Sequence, residues 1–249
     1  MQTALFKGKT ALVTGGARGI GRSICKMLAE QGARVAINYQ NNETAAWETY
    51  GLIEDTAEKA LIIQADVSCE TDVSRMTTTV YEQLGPVDLL VNNAGIANSV
   101  SHNELNFSDW KRMFQVNVDG PFLTTWAVKD AMIDRKFGRI VNVSSLAGVI
   151  RKPDMIHYAT TKAAVISFTR HCSEALAPHG VRVNCVAPGL TNTELAQSAN
   201  PDQVEQLIGL TALGRIGEPS EIADVVKFLL SEDSSFVTGQ TIVACGGRG

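Results

Sequence analysis

The stretch TALVTGGARGIG, from Thr10 to Gly21, decides the fold of this 249-residue chain. Its first residues, Thr10–Val13, are apolar or β-branched and predict a short buried strand. Glycines follow, and glycine allows the tight turn that joins a strand to a helix. The free N–H groups at the beginning of such a helix suit a pyrophosphate. A turn needed only for packing is the alternative, but its place at the first strand-to-helix junction favours dinucleotide binding.

The alternation of strand and helix continues along the chain. The predicted strands are Thr10–Val13, Arg34–Asn38, Ala60–Gln64, Asp88–Val91, Gly138–Val143, Val181–Val186 and Thr241–Ala244. The predicted helices are Ile20–Gln31, Thr44–Thr56, Glu70–Leu84, Asn106–Arg135, His157–Ala177 and Ser220–Leu230. Such repeats predict one α/β domain over residues 1–249, doubly wound, with a parallel sheet covered by helices on both faces. Residues 188–216 are turn-rich and predict a substrate loop or lid.

Composition narrows the class of protein. Hydrophobic residues make up 45% of the chain, charged residues 19%, and the net charge is −4. These values are ordinary for a globular protein, and no basic tract predicts a nucleic-acid or membrane partner. No apolar run has the length of a signal peptide or a membrane span. The five scattered cysteines predict reduced thiols and a cytoplasmic protein, and the four histidines show no metal-ligand spacing.

A tyrosine and a lysine lie one helical turn apart, at Tyr158 and Lys162. Both side chains therefore leave the same face of the predicted helix. A neighbouring ammonium would lower the pKa of the phenol from about 10, which suits a general acid or base. Two amphipathic side chains on a helix surface are the alternative interpretation.

Three motifs together resemble the short-chain dehydrogenase/reductase family. They are T-G-x-x-x-G-x-G at Thr14–Gly21, N-N-A-G at Asn92–Gly95 and Y-x-x-x-K at Tyr158–Lys162, in that order along the chain. The resemblance implies a Rossmann-type fold with a seven-stranded parallel sheet in the order 3-2-1-4-5-6-7. It also implies a nicotinamide cofactor and hydride transfer between that cofactor and a carbonyl or alcohol carbon. Some proteins of this fold bind dinucleotides only as sensors, but they typically lose the tyrosine or the lysine.

The family's catalytic set has a match at Asn117, Ser145, Tyr158 and Lys162. Ser145 lies thirteen residues before the tyrosine, and Ser144 is its neighbour and competitor for the role. In the family the asparagine marks a helix irregularity that holds a water connected to the lysine; an exposed helix asparagine is the alternative. In the family the lysine also binds the nicotinamide ribose, which the resemblance implies for Lys162.

The resemblance implies a cofactor site of glycine-loop, strand-end and loop residues. Its residues are Gly15, Arg18, Gly19, Ile20, Gly21, Asn38, Tyr39, Asp66, Val67, Asn93, Ala94, Gly95, Tyr158, Lys162, Pro188, Gly189, Leu190 and Thr193. No carboxylate follows the second strand until Glu43, and Arg18 lies in the glycine loop, so NADP(H) is favoured and NAD(H) stays possible. Arg18 as a plain surface residue, and Asp66 or Thr193 as helix caps, are the alternatives.

The substrate is expected to be a small carbonyl or alcohol compound. The pattern resembles most the 3-oxoacyl-[acyl-carrier-protein] reductase branch, with a sugar, polyol or cyclic-alcohol dehydrogenase or a broad carbonyl reductase as the runner-up. The candidate substrate residues are Ser145, Val149, Arg151, His157 and Leu195, although Arg151 and His157 also fit an exposed loop. Arg135, Lys136 and Arg139 are the candidates for contacting an acidic carrier.

Assembly is also implied by the family. The helices Asn106–Arg135 and His157–Ala177 would pack against their copies in a second subunit, giving a homotetramer. Small residues on the second helix, Ala159, Ala163, Ala164 and Ser167, would allow a close approach of helices or equally serve packing on the sheet.

Overall fold

The computed structural model describes residues 4–197 and 200–248, without the side chains at 195 and 197, and is built on one parallel sheet. Its strands pair in the order β3-β2-β1-β4-β5-β6-β7, as predicted. They are β1 (Thr10–Val13), β2 (Arg34–Tyr39), β3 (Lys59–Gln64), β4 (Leu89–Asn92), β5 (Gly138–Val143), β6 (Val181–Pro188) and β7 (Thr241–Ala244). The strands before β4 are added on one side of β1 and the later strands on the other, and this switch between β1 and β4 opens a crevice at the carboxyl edge of the sheet.

Helices connect the strands and cover the sheet. They are α1 (Gly19–Glu30), α2 (Glu43–Gly51), α3 (Glu70–Leu84), α4 (Phe107–Phe114), α5 (Gly120–Asp134), α6 (Ile156–Leu176), α7 (Glu194–Gln197), α8 (Pro201–Gly209) and α9 (Pro219–Leu230). No helix of the described chain is long and apolar enough to cross a membrane.

The core has two layers because neighbouring strand residues point to opposite faces. Ala11 and Val13 of β1 pack in one cluster with α1 and α9. Leu12, between them, packs in the other cluster with α3, α5 and α6. The consecutive apolar residues of β1 are thus buried on both faces, which is the pattern expected of a parallel strand.

Three predicted elements differ from the structure. The helix predicted over Asn106–Arg135 is divided into α4, a π-helical segment at Gln115–Asp119, and α5. The helix predicted to reach Thr56 ends at Gly51, where glycine disfavours continuation. The segment predicted as irregular, residues 188–216, contains α7 and α8. Asn200 caps α8 and Pro201 opens it, a signal that the sequence carried.

Candidate active site

The predicted site residues lie at the carboxyl edge of the sheet. Thr14 follows β1, Asn93 follows β4, Ser145 lies two residues after β5, and Gly189 follows β6. Parallel strands all end at the same edge, which is where open α/β sheets bind ligands. The fold therefore gathers segments that are far apart in the sequence.

Tyr158 and Ser145 meet at this edge. Tyr158 lies in the first turn of α6, half-buried, and the Ser145 hydroxyl is close enough to its phenol to influence the pKa of that phenol. Burial raises the pKa of the Tyr158 phenol, and the Ser145 hydroxyl opposes that rise. The Ser145 hydroxyl also accepts a hydrogen bond from the amide of Ala147 at 3.2 Å, so a local backbone contact fixes the serine.

Ser144 has a different environment. It is buried, and its hydroxyl donates a hydrogen bond to the carbonyl oxygen of Lys162 at 2.7 Å. It therefore ties the end of β5 to α6. Of the two adjacent serines, Ser145 is the one that contacts the tyrosine.

Lys162 is buried beneath the tyrosine. Its Nζ donates a hydrogen bond to the carbonyl oxygen of Val143 at 3.0 Å and lies 5.7 Å from the centroid of the Tyr158 ring. Burial lowers the pKa of Lys162 to about 8. The expected lowering of the Tyr158 pKa by this ammonium is not found: burial raises that pKa, and Ser145 is the group that opposes the rise.

Asn117 lies in the π-helical segment between α4 and α5. Pro121 follows four residues later and has no N–H, so it cannot donate the α-helical hydrogen bond to the Asn117 carbonyl. The Asn117 side chain donates to the carbonyl oxygen of Ile96 at 2.9 Å and to the hydroxyl of Thr161 at 3.1 Å, and it accepts from the amide of Ile96 at 2.9 Å. Asn117 thereby joins the segment after β4 to α6.

Gly95 lies next to the side chains of both Asn117 and Lys162. A Cβ added there would lie 3.1 Å from Oδ1 of Asn117 and 3.4 Å from Nζ of Lys162. Both polar groups are thus neighbours of the same glycine. Asn117, Ser145, Tyr158 and Lys162 form one cluster.

The glycine turn after β1 is held by the segment after β4. The Thr14 hydroxyl accepts hydrogen bonds from the amides of Asn93 and Ala94, each at 3.0 Å. The Asn93 side chain donates to the carbonyl oxygens of Thr14 and Gly15, also at 3.0 Å. A Cβ at Gly21 would lie 2.2 Å from the carbonyl oxygen of Gly15, so only glycine fits there.

This turn fits the pyrophosphate of a dinucleotide. Within the described residues, α1 begins without a side-chain cap, so its first N–H groups are available to a bound anion. Gly15 and Gly19 have φ of +63° and +53°, values that glycine adopts without strain. Ile20 lies in the first turn of α1, and its side chain packs against the core.

Asn38 lies near the end of β2, and its side chain bonds to backbone groups of the protein. Its side chain is buried, accepts from the amide of Gly15 at 3.2 Å, and donates to the backbone carbonyls of Tyr39, Ile63 and Ala65. Asn38 therefore shapes the glycine turn, and its donors already have partners. Tyr39 is buried beside Ala17.

Asp66 follows β3 and belongs to a polar network. It accepts hydrogen bonds from the amide and hydroxyl of Ser68 and from Gln40. Burial favours a higher pKa for Asp66, but the Ser68 hydrogen bonds and the Arg112 charge outweigh it and lower the pKa. Val67 is buried, and a Cβ on Gly120 would come within 2.9 Å of it.

The segment after β6 reaches the glycine turn. Gly189 donates to the carbonyl of Ala244 at 2.9 Å, and Leu190 accepts from the amide of Gly217 at 3.0 Å, which fixes the segment that begins at Pro188. A Cβ on Gly19 would lie 3.2 Å from the Thr193 methyl carbon.

Arg18 forms an ion pair with Glu194, with Nη1 and Oε2 2.8 Å apart. The residue predicted to contact the cofactor is therefore bonded to the segment that follows β6.

His157 corrects the prediction of an exposed loop. The side chain is fully buried, and Nε2 lies 2.9 Å from Oδ1 of Asn98. Its Nδ1 is a buried atom without a hydrogen-bond partner among the described residues. His157 therefore holds the segment after β4 against α6.

The other substrate candidates are in several environments. Val149 and Arg151 are exposed, on the segment between β5 and α6. The side chain of Leu195 lies outside the described residues. Ser145 is the candidate that lies in the catalytic cluster.

The candidate carrier residues lie at the opposite edge of the sheet within one chain. Arg135 donates to the carbonyl of Val87, just before β4, and Arg139 donates to the carbonyl of Gly180, just before β6. A Cβ on Gly180 would lie 2.3 Å from the Lys136 carbonyl oxygen. These residues are thus far from Tyr158 in their own chain, contrary to the expectation.

Sequence reasoning missed several residues that organise the site. Thr161, Asn98 and Glu194 each contact a predicted site residue. Thr161 was signalled, because it precedes Lys162 inside the motif. The partners Asn98 and Glu194 lie 59 and 176 residues from theirs, and no local pattern indicates such contacts.

Comparison with known proteins agrees with this geometry. The family model for short chain dehydrogenases matches residues 9–204. A 3-oxoacyl-[acyl-carrier-protein] reductase of Synechocystis sp. is 36% identical over 240 residues, which cover 96% of this chain and 96% of the relative. A crystal structure of a 3-oxoacyl-[acyl-carrier protein] reductase from Brucella melitensis has a TM-score of 0.91 and 37% identity, covering 98% of this chain and 92% of that one.

A second Brucella melitensis structure, a 3-oxoacyl-[acyl-carrier protein] reductase with bound NAD, has a TM-score of 0.89 and 37% identity. It covers 98% of this chain and 92% of that one. With a matching family model, a relative of near-equal length, and the tyrosine, serine and lysine gathered beside a glycine turn, the chain belongs to the short-chain dehydrogenase family of oxidoreductases.

Proposed function

We propose that this oxidoreductase reduces the keto group of a 3-oxoacyl substrate, with Tyr158 as the proton donor. The observation that carries the proposal is that Ser145 acts on the Tyr158 phenol while Nζ of the buried Lys162 lies 5.7 Å from the centroid of the Tyr158 ring. This arrangement would present two hydroxyl groups to one substrate oxygen at the edge where the cofactor turn lies. The names of the relatives support the substrate class.

The chain's residues would handle the proton and the developing charge. A bound nicotinamide supplies the hydride. Ser145 Oγ and Tyr158 Oη would donate hydrogen bonds to the substrate oxygen as negative charge develops there. The raised pKa keeps the Tyr158 phenol protonated at neutral pH, so it can pass a proton to that oxygen. Nζ of Lys162 would orient the nicotinamide ribose, and Asn117 would connect the lysine to a water.

We infer a preference for NADP(H). The strand β2 ends in neutral residues, and the carboxylate that would bind an unphosphorylated ribose is missing from Tyr39–Asn42. Arg18 supplies a guanidinium, which suits a phosphate. NAD(H) is the alternative, and the similar Brucella melitensis structure with bound NAD supports it.

We also propose a homo-oligomer, with a tetramer expected. On α5 the rings of Phe122 and Trp126 stack with centroids 4.3 Å apart, and both are about two-fifths exposed. Phe168 on α6 lies beside them, 6.1 Å from Trp126. Exposed aromatic side chains on adjacent helices favour burial against a second copy of this chain. A single domain, a cytoplasmic location and a lid at residues 188–216 remain predictions.

Initial rates of nicotinamide oxidation test the function. The panel compares a 3-oxoacyl thioester, the matching free β-keto ester, a diketone and a sugar, each with NADPH and with NADH. We expect the highest kcat/KM with the thioester and NADPH. Turnover restricted to sugars or polyols would favour the runner-up dehydrogenase, and nucleotide binding without any turnover would favour a sensor.

A further inference from the structure

The ion pair between Arg18 and Glu194 joins two parts of the cofactor site. Arg18 lies just before α1 in the glycine turn, and Glu194 begins α7 in the predicted lid. Nη1 and Oε2 are 2.8 Å apart across 176 residues of chain. Both side chains are more than half exposed, at 62% and 57%, so the pair can open without disturbing the core.

A second contact holds the same two segments together. A Cβ on Gly19 would lie 3.2 Å from the side chain of Thr193, the residue before Glu194. The beginning of α7 therefore lies directly on the beginning of α1. The contact between Thr193 and Gly19 therefore keeps the neighbouring Glu194 carboxylate beside the glycine turn.

Arg18 can serve only a limited number of anionic groups at once. A guanidinium offers five N–H donors in a fixed plane, and Nη1 is already used by Glu194. A phosphate dianion on the cofactor ribose would compete for this cation with a carboxylate that is part of the protein.

We propose that Glu194 modulates cofactor specificity, by competing with the ribose 2′-phosphate for Arg18. A cofactor without that phosphate leaves the pair intact and α7 held on the glycine turn. A cofactor with it takes Arg18 and releases Glu194. The inference rests on the proposed function, since it requires that Arg18 faces the adenosine ribose.

Linkage sets the size of the effect. Exposed ion pairs contribute little, which corresponds to about a 1.5- to fivefold change in an equilibrium constant. Removing Glu194 should improve binding of a 2′-phosphorylated ligand by at most this factor. A ligand without the phosphate should be unaffected, because it does not compete for Arg18.

Calorimetric titration of the full chain with adenosine 2′,5′-bisphosphate and with 5′-ADP tests the proposal. In Glu194→Gln we expect Kd for the bisphosphate to fall about two- to fivefold at low salt, with Kd for 5′-ADP unchanged. Glu205→Gln is the matched control, since it removes the same charge from exposed α8. In an Arg18→Gln background the effect of Glu194→Gln should disappear.

The outcomes separate this inference from the proposed function. If wild type binds both nucleotides and Glu194→Gln matches Glu205→Gln, or tightens both ligands equally, only the role of Glu194 is overturned. If wild type binds neither nucleotide, the cofactor assignment and this inference fail together.

Discussion

Lys162 shows how one buried side chain sets both chemistry and stability. Its amine lies inside the protein with a carbonyl as its hydrogen-bond partner, and burial lowers its pKa to about 8. Near neutral pH most of these amines carry a proton, and the protein bears the cost of a buried charge. The cationic form is the stronger hydrogen-bond donor, which suits the proposed contact of Lys162 with a ribose hydroxyl.

This pKa predicts a pH-dependent stability. The unfolded lysine titrates near 10.4, so between pH 8 and about 10.5 the unfolded chain binds more protons than the folded chain. Wild type should therefore gain up to about 3 kcal/mol relative to Lys162→Met as pH rises through this window, and nothing below it. Urea unfolding of both proteins at pH 7, 8, 9 and 10 measures the difference. A constant difference across the series would contradict the assigned burial of the charge.

Residue positions were predictable where the chemistry follows a local spacing. Tyr158 and Lys162 share a helix face, which the spacing alone indicated, and the resemblance to the family added Ser145, thirteen residues before the tyrosine. The burial of His157 was not predictable, because it depends on Asn98, which a separate strand and loop bring close. The direction of the tyrosine pKa shift was also unpredictable, since it depends on burial.

The element at the centre of cofactor binding is the turn between β1 and α1. Its shape depends on side chains at or beyond the ends of three other strands: Asn38 near the end of β2, Asn93 after β4 and Thr193 after β6. The strand-turn-helix pattern predicted the element correctly. Its supporting contacts come from tertiary structure and have no local signature.

Gly21 gives a direct test of this turn. A methyl group there would meet the Gly15 carbonyl oxygen at 2.2 Å, so Gly21→Ala should cost about 3 kcal/mol of unfolding free energy and abolish tight nucleotide binding. Gly51→Ala is the matched control, because a Cβ at that α2 residue meets nothing within 4 Å. The control should be neutral or stabilised by about 0.5–1 kcal/mol. Equal stability of the two variants would contradict the close packing of the turn.

A second feature at the level of the elements is the π-helical segment at Asn117, which divides the predicted long helix. Periodicity predicted one continuous helix over Asn106–Arg135, and helical residues do fill most of it. Pro121 removes one donor from the helical ladder, and the backbone widens into a π-helical segment at Asn117. The resemblance to the family implied a helix irregularity at Asn117, and the structure has one there, but the part that Pro121 plays in it was not inferred.

At the scale of the whole molecule, alternating strands and helices predicted a parallel sheet covered by helices on both faces. The order of the strands was implied by the resemblance to the family, and the structure has that order. Residues 188–216 were predicted only as a turn-rich segment, because α7 has four residues and the Asn200 and Pro201 signal for α8 was not used. The basic residues near β5 were misplaced relative to the site, although their place before or at the beginning of a predicted parallel strand already puts them at the amino edge of the sheet.

Assembly gives the whole-molecule prediction. We expect wild type to sediment as an oligomer at micromolar concentration, and Trp126→Glu to shift it to smaller species, because the exposed aromatic stack would lose its apolar contact. Trp47→Glu is the control, since Trp47 is also exposed but lies on α2. A monomeric wild type, or equal effects of both variants, would refute burial of this stack between copies.

The central claim is that Tyr158 donates the proton in a hydride-transfer reaction. The most direct measurement is kcat/KM for NADPH-dependent reduction of a 3-oxoacyl thioester by Tyr158→Phe, with exposed Tyr81→Phe as control. The account predicts a loss of about 10²- to 10⁴-fold with Kd for adenosine 2′,5′-bisphosphate unchanged, and no loss in the control. Near-normal turnover by Tyr158→Phe, with nucleotide binding intact, would contradict it.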